Sequence, residues 1–141
     1  MPRAILIIED EQSIRDALAD LFDVAATMVT AVGSLDEAKA ALAAKPFDLI
    51  LSDIRLGGKR DGGLQVMAAA GLLSPEATVI ALTAFPDQDN RLASLRLGAT
   101  YFLEKPADLE TIASIAAKHG VASSIYPDPP SPAAAAPAAA S

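Results

Sequence analysis

The sequence predicts an α/β domain in which a doubly wound parallel sheet of five strands carries helices on both faces. Short apolar runs alternate with amphipathic helical patterns along the chain, and the connections between them are short. Apolar runs bounded by turn signals are typical of strands that are buried on both faces of a parallel sheet. Right-handed crossovers between such strands produce this fold, for which we expect the strand order 2-1-3-4-5.

The first half of the chain supplies three of the predicted strands, at residues 4–8, 28–32 and 48–53. The helix after the first strand is predicted from apolar residues at helical spacing, namely Ile14, Ala17, Leu18, Leu21 and Phe22. Ser34 and Glu37 have the pattern of a capping box, which predicts a second helix to about Ala44, before Pro46.

The second half of the chain supplies the remaining elements. A third helix, at residues 64–73, stops before Pro75, and the fourth strand, at residues 78–82, ends on Thr83. A fourth helix is predicted at residues 87–97, with Gly98 as its C-terminal cap. The fifth strand, at residues 100–104, leads into a last helix that Asp108 caps and that runs to Lys118, with Gly120 as its stop.

The composition is that of one acidic domain. Eleven basic and eighteen acidic residues give a net charge of −7, which disfavours direct binding to nucleic acid or to an anionic membrane. The absence of cysteine excludes disulfides and thiolate metal sites, and no apolar run is long enough to span a bilayer. These features favour a cytoplasmic protein.

The composition changes after residue 120. Five of the last 21 residues are proline and eight are alanine, and Asp128 is the only charged side chain among them. We therefore expect one folded domain at residues 1–120, and a flexible Pro/Ala-rich tail or linker at residues 121–141.

Four of the predicted strand ends carry chemically distinct polar side chains: Glu9 and Asp10, Asp53, Thr83, and Lys105. In the expected strand order, the carboxylates after strands 1 and 3 flank the topological switch point and converge. Clustered carboxylates repel one another unless a cation neutralises them, and a hard divalent ion such as Mg²⁺, or Mn²⁺ in its place, suits oxygen ligands. Lys105 and Thr83 would then contact a phosphoryl group accepted by Asp53.

Each of these residues has an ordinary interpretation when it is taken alone. Asp53, Thr83 and Lys105 could be solvated residues at strand ends, and the acids after the first strand could be residues favoured by a helix dipole. Pro106 could simply begin a helix. The combination, in this order along the chain, is much more specific than any single member.

Residues 3–119 resemble the receiver domain of two-component response regulators. The matching motifs are Ile7-Ile8-Glu9-Asp10-Glu11, Leu49-Ile50-Leu51-Ser52-Asp53, Asp61-Gly62, Leu82-Thr83-Ala84 and the segment from Gly98 to Pro106. The resemblance implies a flavodoxin-like (βα)5 fold. It also implies that Asp53 is phosphorylated from a phosphohistidine on a sensor histidine kinase or a histidine phosphotransfer protein.

The resemblance further implies a role for each site residue. Glu9, Asp10, Asp53 and the backbone carbonyl of Arg55 would hold the metal, and Thr83 and Lys105 would sense the phosphoryl group. The bond between Lys105 and Pro106 is expected to be cis, and Phe102 is expected to be the switch ring that moves inward when Thr83 shifts. Arg55 and Phe85 occupy the positions that tune the lifetime of the phosphorylated state.

One region departs from the family pattern. The loop at residues 54–63 contains four glycines, lacks the usual proline and is one residue longer than in many relatives before Asp61-Gly62. The metal-ligating carbonyl of Arg55 is the position that this change affects most. We also expect bulky Phe85 to shield the acyl phosphate from water and to slow its hydrolysis.

The expected output is a two-state switch. Phosphorylation would favour one of two packings of the fourth helix and fifth strand, and a protein partner or a second copy of the chain would bind the face that they form with the last helix. We expect no DNA-binding or catalytic output from these residues, so the output would be protein–protein contact, relay of the phosphoryl group to another histidine protein, or competition for the kinase. Alternatives are an unphosphorylated pseudo-receiver that acts as an interaction scaffold, and the N-terminal receiver of a larger regulator.

We do not expect a turnover enzyme. Phosphatases of the haloacid-dehalogenase type also use a nucleophilic Asp at a strand end, but they need a second acid two residues later, where this chain has Arg55. The glycine patterns of P-loop and dinucleotide-binding proteins are absent. His119, the single histidine, is expected to interact with the dipole of the last helix.

Overall fold

The computed structural model describes residues 2–54, 62–84 and 88–129. Five strands and five helices alternate along this part of the chain: β1 Arg3–Ile8, α1 Gln12–Leu21, β2 Thr27–Val32, α2 Leu35–Ala44, β3 Leu49–Asp53, α3 Gly62–Leu73, β4 Thr78–Thr83, α4 Gln88–Arg96, β5 Tyr101–Glu104 and α5 Leu109–Lys118. The strands form one sheet in the order β2-β1-β3-β4-β5, and every neighbouring pair is parallel. The predicted fold class and strand order are confirmed.

The register brings the ends of four strands to one edge of the sheet. Ile8 on β1 is aligned with Val32 on β2 and with Ser52 on β3. Asp53 is aligned with Leu82 on β4, and Thr83 is aligned with Glu104 on β5. Because all strands are parallel, the residues that follow β1, β3, β4 and β5 meet at this edge.

Each face of the sheet has its own apolar core. Side chains of a strand alternate between faces, so Ile5 and Ile7 pack with α1 and α5, whereas Leu6 and Ile8 pack with α2 and α3. All four of these β1 side chains are at most 1 % exposed. This double burial explains why the strands are apolar without alternation.

Local signals at the helix ends agree with the structure. Ser34 Oγ accepts a hydrogen bond from the Glu37 amide at 3.2 Å, which is the N-cap half of the predicted capping box, and donates one to Glu37 Oε1 at 3.0 Å. Asp108 Oδ1 accepts from the amide of Glu110 at the start of α5. After the helices, Gly98 and Gly120 have φ values of 101° and 78°, which favour glycine.

The packed part of the chain extends beyond Gly120, where the composition changes. Val121 and Ser123 are at most 1 % exposed, and the amide of Ser124 donates to the carbonyl of Leu21 at 2.8 Å. The Tyr126 hydroxyl donates to Glu110 Oε1 at 3.1 Å. Residues 121–126 therefore pack against α1 and α5, while residues 130–141 of the predicted tail lie outside the described residues.

No helix in the described part of the chain combines the length and the apolar character that crossing a bilayer requires. The helix α3 begins at Gly62, two residues before the predicted start at Leu64. This earlier start brings the glycine pair into contact with the end of β3, as described below.

Candidate functional site

Three carboxylates meet at the carboxyl edge of the sheet. Glu9 and Asp10 follow β1, Asp53 ends β3, and one carboxylate oxygen from each lies within 4.8 Å of the others. Glu9 and Asp53 are buried, whereas Asp10 is exposed. The sequence therefore correctly predicted which acids converge, because β1 and β3 are neighbours in the sheet.

Lys105 brings a positive charge to the two buried acids. Its ammonium donates a hydrogen bond to Asp53 Oδ2 at 2.8 Å and a second one to Glu9 Oε1. The lysine side chain is 14 % exposed, so most of this contact is shielded from solvent. The backbone amide of Lys105 donates to the carbonyl of Thr83 at 2.7 Å, and the bond between Lys105 and Pro106 is cis, the geometry that the resemblance implied.

Every polar group of Glu9 is hydrogen-bonded. Its amide donates to the carbonyl of Val32, and its own carbonyl accepts from Arg15 Nη1 at 2.8 Å. Its carboxylate accepts from Lys105 on one oxygen and from the Glu11 amide at 3.1 Å on the other. A charged group that is 0 % exposed needs such partners, since an unpaired buried charge is costly.

The pKa shifts follow from burial and from this ion pairing. Burial raises the pKa of Glu9 above its ordinary value, and the hydrogen bonds from Lys105 and Glu11 oppose that shift only in part. For Lys105, burial alone would lower the pKa, but the hydrogen bonds to Asp53 and Glu9 outweigh it, and the pKa is raised. Lys105 is therefore an ammonium at neutral pH, a fixed positive charge beside Asp53.

The donor set fits a hard divalent cation. Three carboxylates face one ammonium, so the cluster has excess negative charge. The oxygens are the ligand type that Mg²⁺ prefers, and the exposed Asp10 leaves one side of the cluster open to solvent. Glu9, Asp10 and Asp53 are the described residues that could hold such an ion.

Thr83 ends β4, the strand next to β3 in the sheet, and Phe102 lies on β5. Thr83 is 1 % exposed and is the last residue of its strand. Phe102 is half-buried and packs against the core on the α2–α3 face of the sheet. Arg55 and Phe85, the residues expected to supply a metal-ligating carbonyl and to tune the phosphoryl lifetime, lie outside the described residues.

Two contacts at the site were not predicted from the sequence. One is the hydrogen bond from Arg15 to the Glu9 carbonyl. The other is the close approach of Gly63 to the end of β3: a Cβ atom there would lie 2.1 Å from the Asp53 carbonyl oxygen and 2.4 Å from Ile54 Cα. The consecutive glycines at 62 and 63 were the available signal, since such pairs often mark close approach between backbones.

His119 takes no part in the acidic cluster. It is the C-cap residue of α5, and its Nε2 lies 3.0 Å from the hydroxyl of Tyr101 on β5. The two rings form an edge-to-face pair with centroids 5.8 Å apart. His119 therefore links α5 to β5.

Comparisons with known proteins agree with this arrangement. The chain is 34 % identical over 113 residues to the response regulator protein PilR of Pseudomonas aeruginosa, a match that covers 79 % of this chain and 25 % of PilR. The chain thus spans about a quarter of the length of that relative.

Solved structures of response regulator proteins are also similar to this chain. A response regulator protein from Burkholderia pseudomallei, solved with a phosphorylated aspartic acid, a calcium ion and citrate, is 29 % identical, with a TM-score of 0.72 over 81 % of this chain and 65 % of that one. A CheY-like receiver domain protein from Methanospirillum hungatei JF-1 shares the fold, with a TM-score of 0.75, 24 % identity and coverage of 82 % and 90 %.

The family model for the response regulator receiver domain matches residues 5–117, from the first strand to the end of the last helix. This range contains all three clustered carboxylates, Thr83 and Lys105. The chain belongs to the response regulator receiver domain family.

Proposed function

We propose that this chain is a phosphoacceptor switch of a two-component phosphorelay, and that Asp53 accepts the phosphoryl group. The observation that carries the proposal is the position of the Lys105 ammonium, 2.8 Å from Asp53 Oδ2, beside a cluster of three carboxylates. A nucleophilic carboxylate, a fixed ammonium and a cluster of oxygen ligands are the groups that phosphoryl transfer requires.

The proposed donor is a phosphohistidine on a sensor histidine kinase or a histidine phosphotransfer protein. A carboxylate oxygen of Asp53 attacks phosphorus while the P–N bond to the imidazole breaks, and the electron pair of that bond stays on the ring nitrogen. The product is an acyl phosphate on Asp53 and a free histidine. This is a single transfer to the protein, so we do not propose a turnover enzyme.

The residues around Asp53 have distinct roles in this step. The Lys105 ammonium, now held by Asp53 and Glu9, neutralises charge on the transferred phosphoryl group. The Thr83 hydroxyl, at the adjacent strand end, donates a hydrogen bond to a phosphoryl oxygen. When bound, Mg²⁺ or Mn²⁺ neutralises charge on the phosphoryl oxygens. Glu9, Asp10 and Asp53 would hold it, with the backbone carbonyl of Arg55 as a fourth protein ligand.

The proposed output is a change of packing on the surface formed by α4, β5 and α5. Thr83 on β4 is aligned with Glu104 on β5, two residues after Phe102, so a shift of Thr83 toward the phosphoryl group reaches the proposed switch ring through adjacent strands. On α4, Leu92 and Leu95 are 41 % and 42 % exposed. These apolar side chains support binding of a cytoplasmic protein partner or of a second copy.

A receiver module of a larger regulator is the alternative that the comparisons favour, because the chain spans only a quarter of PilR. The phosphoacceptor role is the same in both cases. The difference concerns what reads the switch, an attached domain or a separate protein.

The test is the intact mass of the protein after incubation with Mg²⁺ and acetyl phosphate. We expect a gain of one phosphoryl group, lost in Asp53→Asn and lost when Mg²⁺ is removed by a chelator. Asp53→Asn is a suitable control because the amide keeps the size of the side chain and still offers an oxygen to Lys105. A folded protein that gains no mass would contradict the proposal and favour the pseudo-receiver scaffold.

A further inference from the structure

We propose that Arg15 is a positioning residue for the metal-binding carboxylates, and that residue 33 is glycine because the Arg15 guanidinium occupies the space of a side chain there. The inference rests on the proposed function, since it assigns these two residues a part in metal binding. Neither residue belongs to the motifs that carried the sequence prediction.

Arg15 contacts the backbone of the acidic loop rather than its carboxylates. Its Nη1 donates to the carbonyl oxygen of Glu9 at 2.8 Å, and its amide donates to the carbonyl of Glu11 at 3.0 Å, in the first turn of α1. The side chain is half-buried, so its charge is partly shielded and its geometry is restricted. Arg15 therefore links the first helix to the end of β1.

The carbonyl that Arg15 binds belongs to the peptide unit between Glu9 and Asp10. Because a peptide unit is planar, fixing its carbonyl also fixes the direction in which the chain enters Asp10. Asp10 is the exposed member of the cluster, whereas Glu9 and Asp53 are held by Lys105. The hydrogen bond from Arg15 thus bears most directly on Asp10, the next residue in the chain.

Gly33 leaves room for this hydrogen bond. A Cβ atom at residue 33 would lie 2.6 Å from Arg15 Nη1 and 3.4 Å from its Cζ, while the Glu9 carbonyl oxygen would be 3.7 Å away, an ordinary contact. Gly33 does not have positive φ, unlike Gly98 and Gly120. An alanine there is compatible with the backbone, and it would displace the guanidinium specifically.

A purely electrostatic role for Arg15 makes the opposite prediction. A cation near the site repels Mg²⁺, so removing it would tighten metal binding. Loss of positioning weakens metal binding instead, since residues that orient metal ligands typically contribute about 10–100-fold to affinity. The sign of the change therefore separates the two roles.

The first measurement is a double-mutant cycle on the affinity for Mg²⁺, using the full chain. We expect Arg15→Ala and Gly33→Ala each to weaken binding by about tenfold, and Arg15→Lys to weaken it less. In the Arg15→Ala background, Gly33→Ala should have no further effect, because the guanidinium that the new methyl group displaces is gone. Gly71→Ala is the control, since a Cβ there has no neighbour within 4 Å.

The second measurement needs no metal. The carbonyl ¹³C shift of Glu9 and the amide ¹⁵N shift of Asp10 should change in both Arg15→Ala and Gly33→Ala, and stay as in the parent in Gly71→Ala. The inference would be overturned if these chemical shifts stayed unchanged in Arg15→Ala and Gly33→Ala. It would also be overturned if the losses of Mg²⁺ affinity in the two variants were fully additive, or if Arg15→Ala bound Mg²⁺ more tightly. A parent protein that binds no Mg²⁺ would instead count against the proposed function, and the shifts would still decide whether Arg15 positions Asp10.

Discussion

The ammonium of Lys105 lies 2.8 Å from Oδ2 of Asp53, although the two residues are 52 positions apart in the chain. Lys105 follows β5 and Asp53 ends β3, and these two strands are separated in the sheet by β4. The Lys105 side chain therefore crosses the end of β4, where Thr83 lies, to reach Asp53 at the end of β3. This contact joins the acidic end of the sheet to the side of the domain that carries α4 and α5.

Replacing Lys105 by methionine should destabilise the metal-free protein. The change leaves Glu9 and Asp53, whose side chains are 1 % and 8 % exposed, without their shared cation. We expect the free energy of unfolding in urea to fall by roughly 2–3 kcal/mol, less than for a fully enclosed pair because the cluster opens to solvent at Asp10. Mg²⁺ should recover part of the loss. Lys39→Met, at an exposed position on α2, is the control, and an equal effect of both changes would contradict the prediction.

The raised pKa of Glu9 predicts a pH dependence of stability. The folded protein holds the Glu9 proton more tightly than the unfolded chain, in which the pKa is near its ordinary value of 4.5. Between that value and the raised pKa the folded state binds more protons, so the contribution of Glu9 to stability falls as the pH rises through this window. The measurement is the free energy of unfolding of the parent and of Glu9→Gln, without divalent ions. The difference, parent minus variant, should decrease from pH 4 to neutral pH. A difference that increases over this range would contradict the assignment.

Several parts of the site could be predicted from the sequence because they depend on periodic patterns. The alternation of strands and helices, with a polar residue after each of four strands, is sufficient to place Glu9, Asp10 and Asp53 at one edge. The cap at Ser34 and the glycine at 98 are equally local signals, since each depends on a few consecutive residues.

The contacts that were not predicted join different secondary-structure elements, so their geometry appears only once those elements pack together. Gly63 has no local feature that distinguishes it from Gly62, and only the approach of α3 to the Asp53 carbonyl shows that a side chain cannot fit there. The Pro/Ala-rich composition of residues 121–141 as a whole predicts a tail, although residues 121–126 themselves contain Val121, Ile125 and Tyr126. The burial of Val121 comes from packing against side chains of α1 and α5, which meet only in the folded domain.

Gly63→Ala should destabilise the protein, although alanine is the better helix former. The new methyl group would meet backbone atoms of Asp53 and Ile54, which cannot rotate away as a side chain can. We expect a loss of about 1–3 kcal/mol from this overlap, together with slower phosphorylation by acetyl phosphate, because the end of β3 must shift.

Gly71→Ala is the matched control for that experiment, since both glycines are in α3. A Cβ at residue 71 has no neighbour within 4 Å, and alanine should stabilise the helix by about 0.5–1 kcal/mol there. If both changes stabilised the protein, the close approach of α3 to Asp53 would be contradicted.

Tyr126 should ionise at a higher pH than an ordinary tyrosine. Its hydroxyl donates to the carboxylate of Glu110, and this hydrogen bond, aided by the negative charge, raises its pKa above 10.0. The chain has two tyrosines, so a Tyr101→Phe background leaves Tyr126 as the only one. In that background, ultraviolet absorbance should show tyrosinate forming at lower pH once Glu110→Gln is added. An identical titration curve would mean that the hydrogen bond is absent in solution.

The packing of residues 121–126 predicts where the domain can be shortened without loss. A chain that ends at Gly120 loses the buried Val121 and the hydrogen bond from Ser124 to the carbonyl of Leu21. Burial of a valine side chain alone is worth about 1.5–3 kcal/mol, so we expect the free energy of unfolding in urea to fall by at least about that amount. The loss should appear as faster hydrogen exchange at the end of α1 and along α5, which this segment covers.

A chain that ends at Pro129 is the comparison for this truncation, because it keeps every contact described between the segment and the two helices. Its free energy of unfolding and its hydrogen exchange should be closer to those of the full chain than the values for the chain that ends at Gly120. Equal stability of the chains ending at Gly120 and Pro129 would show that the segment contributes nothing to the fold, and that the boundary drawn from composition at residue 120 is the physical one. A loss confined to the shorter chain would place the boundary between Gly120 and Pro129, in the segment where the Tyr126 hydroxyl donates to Glu110 in the first turn of α5.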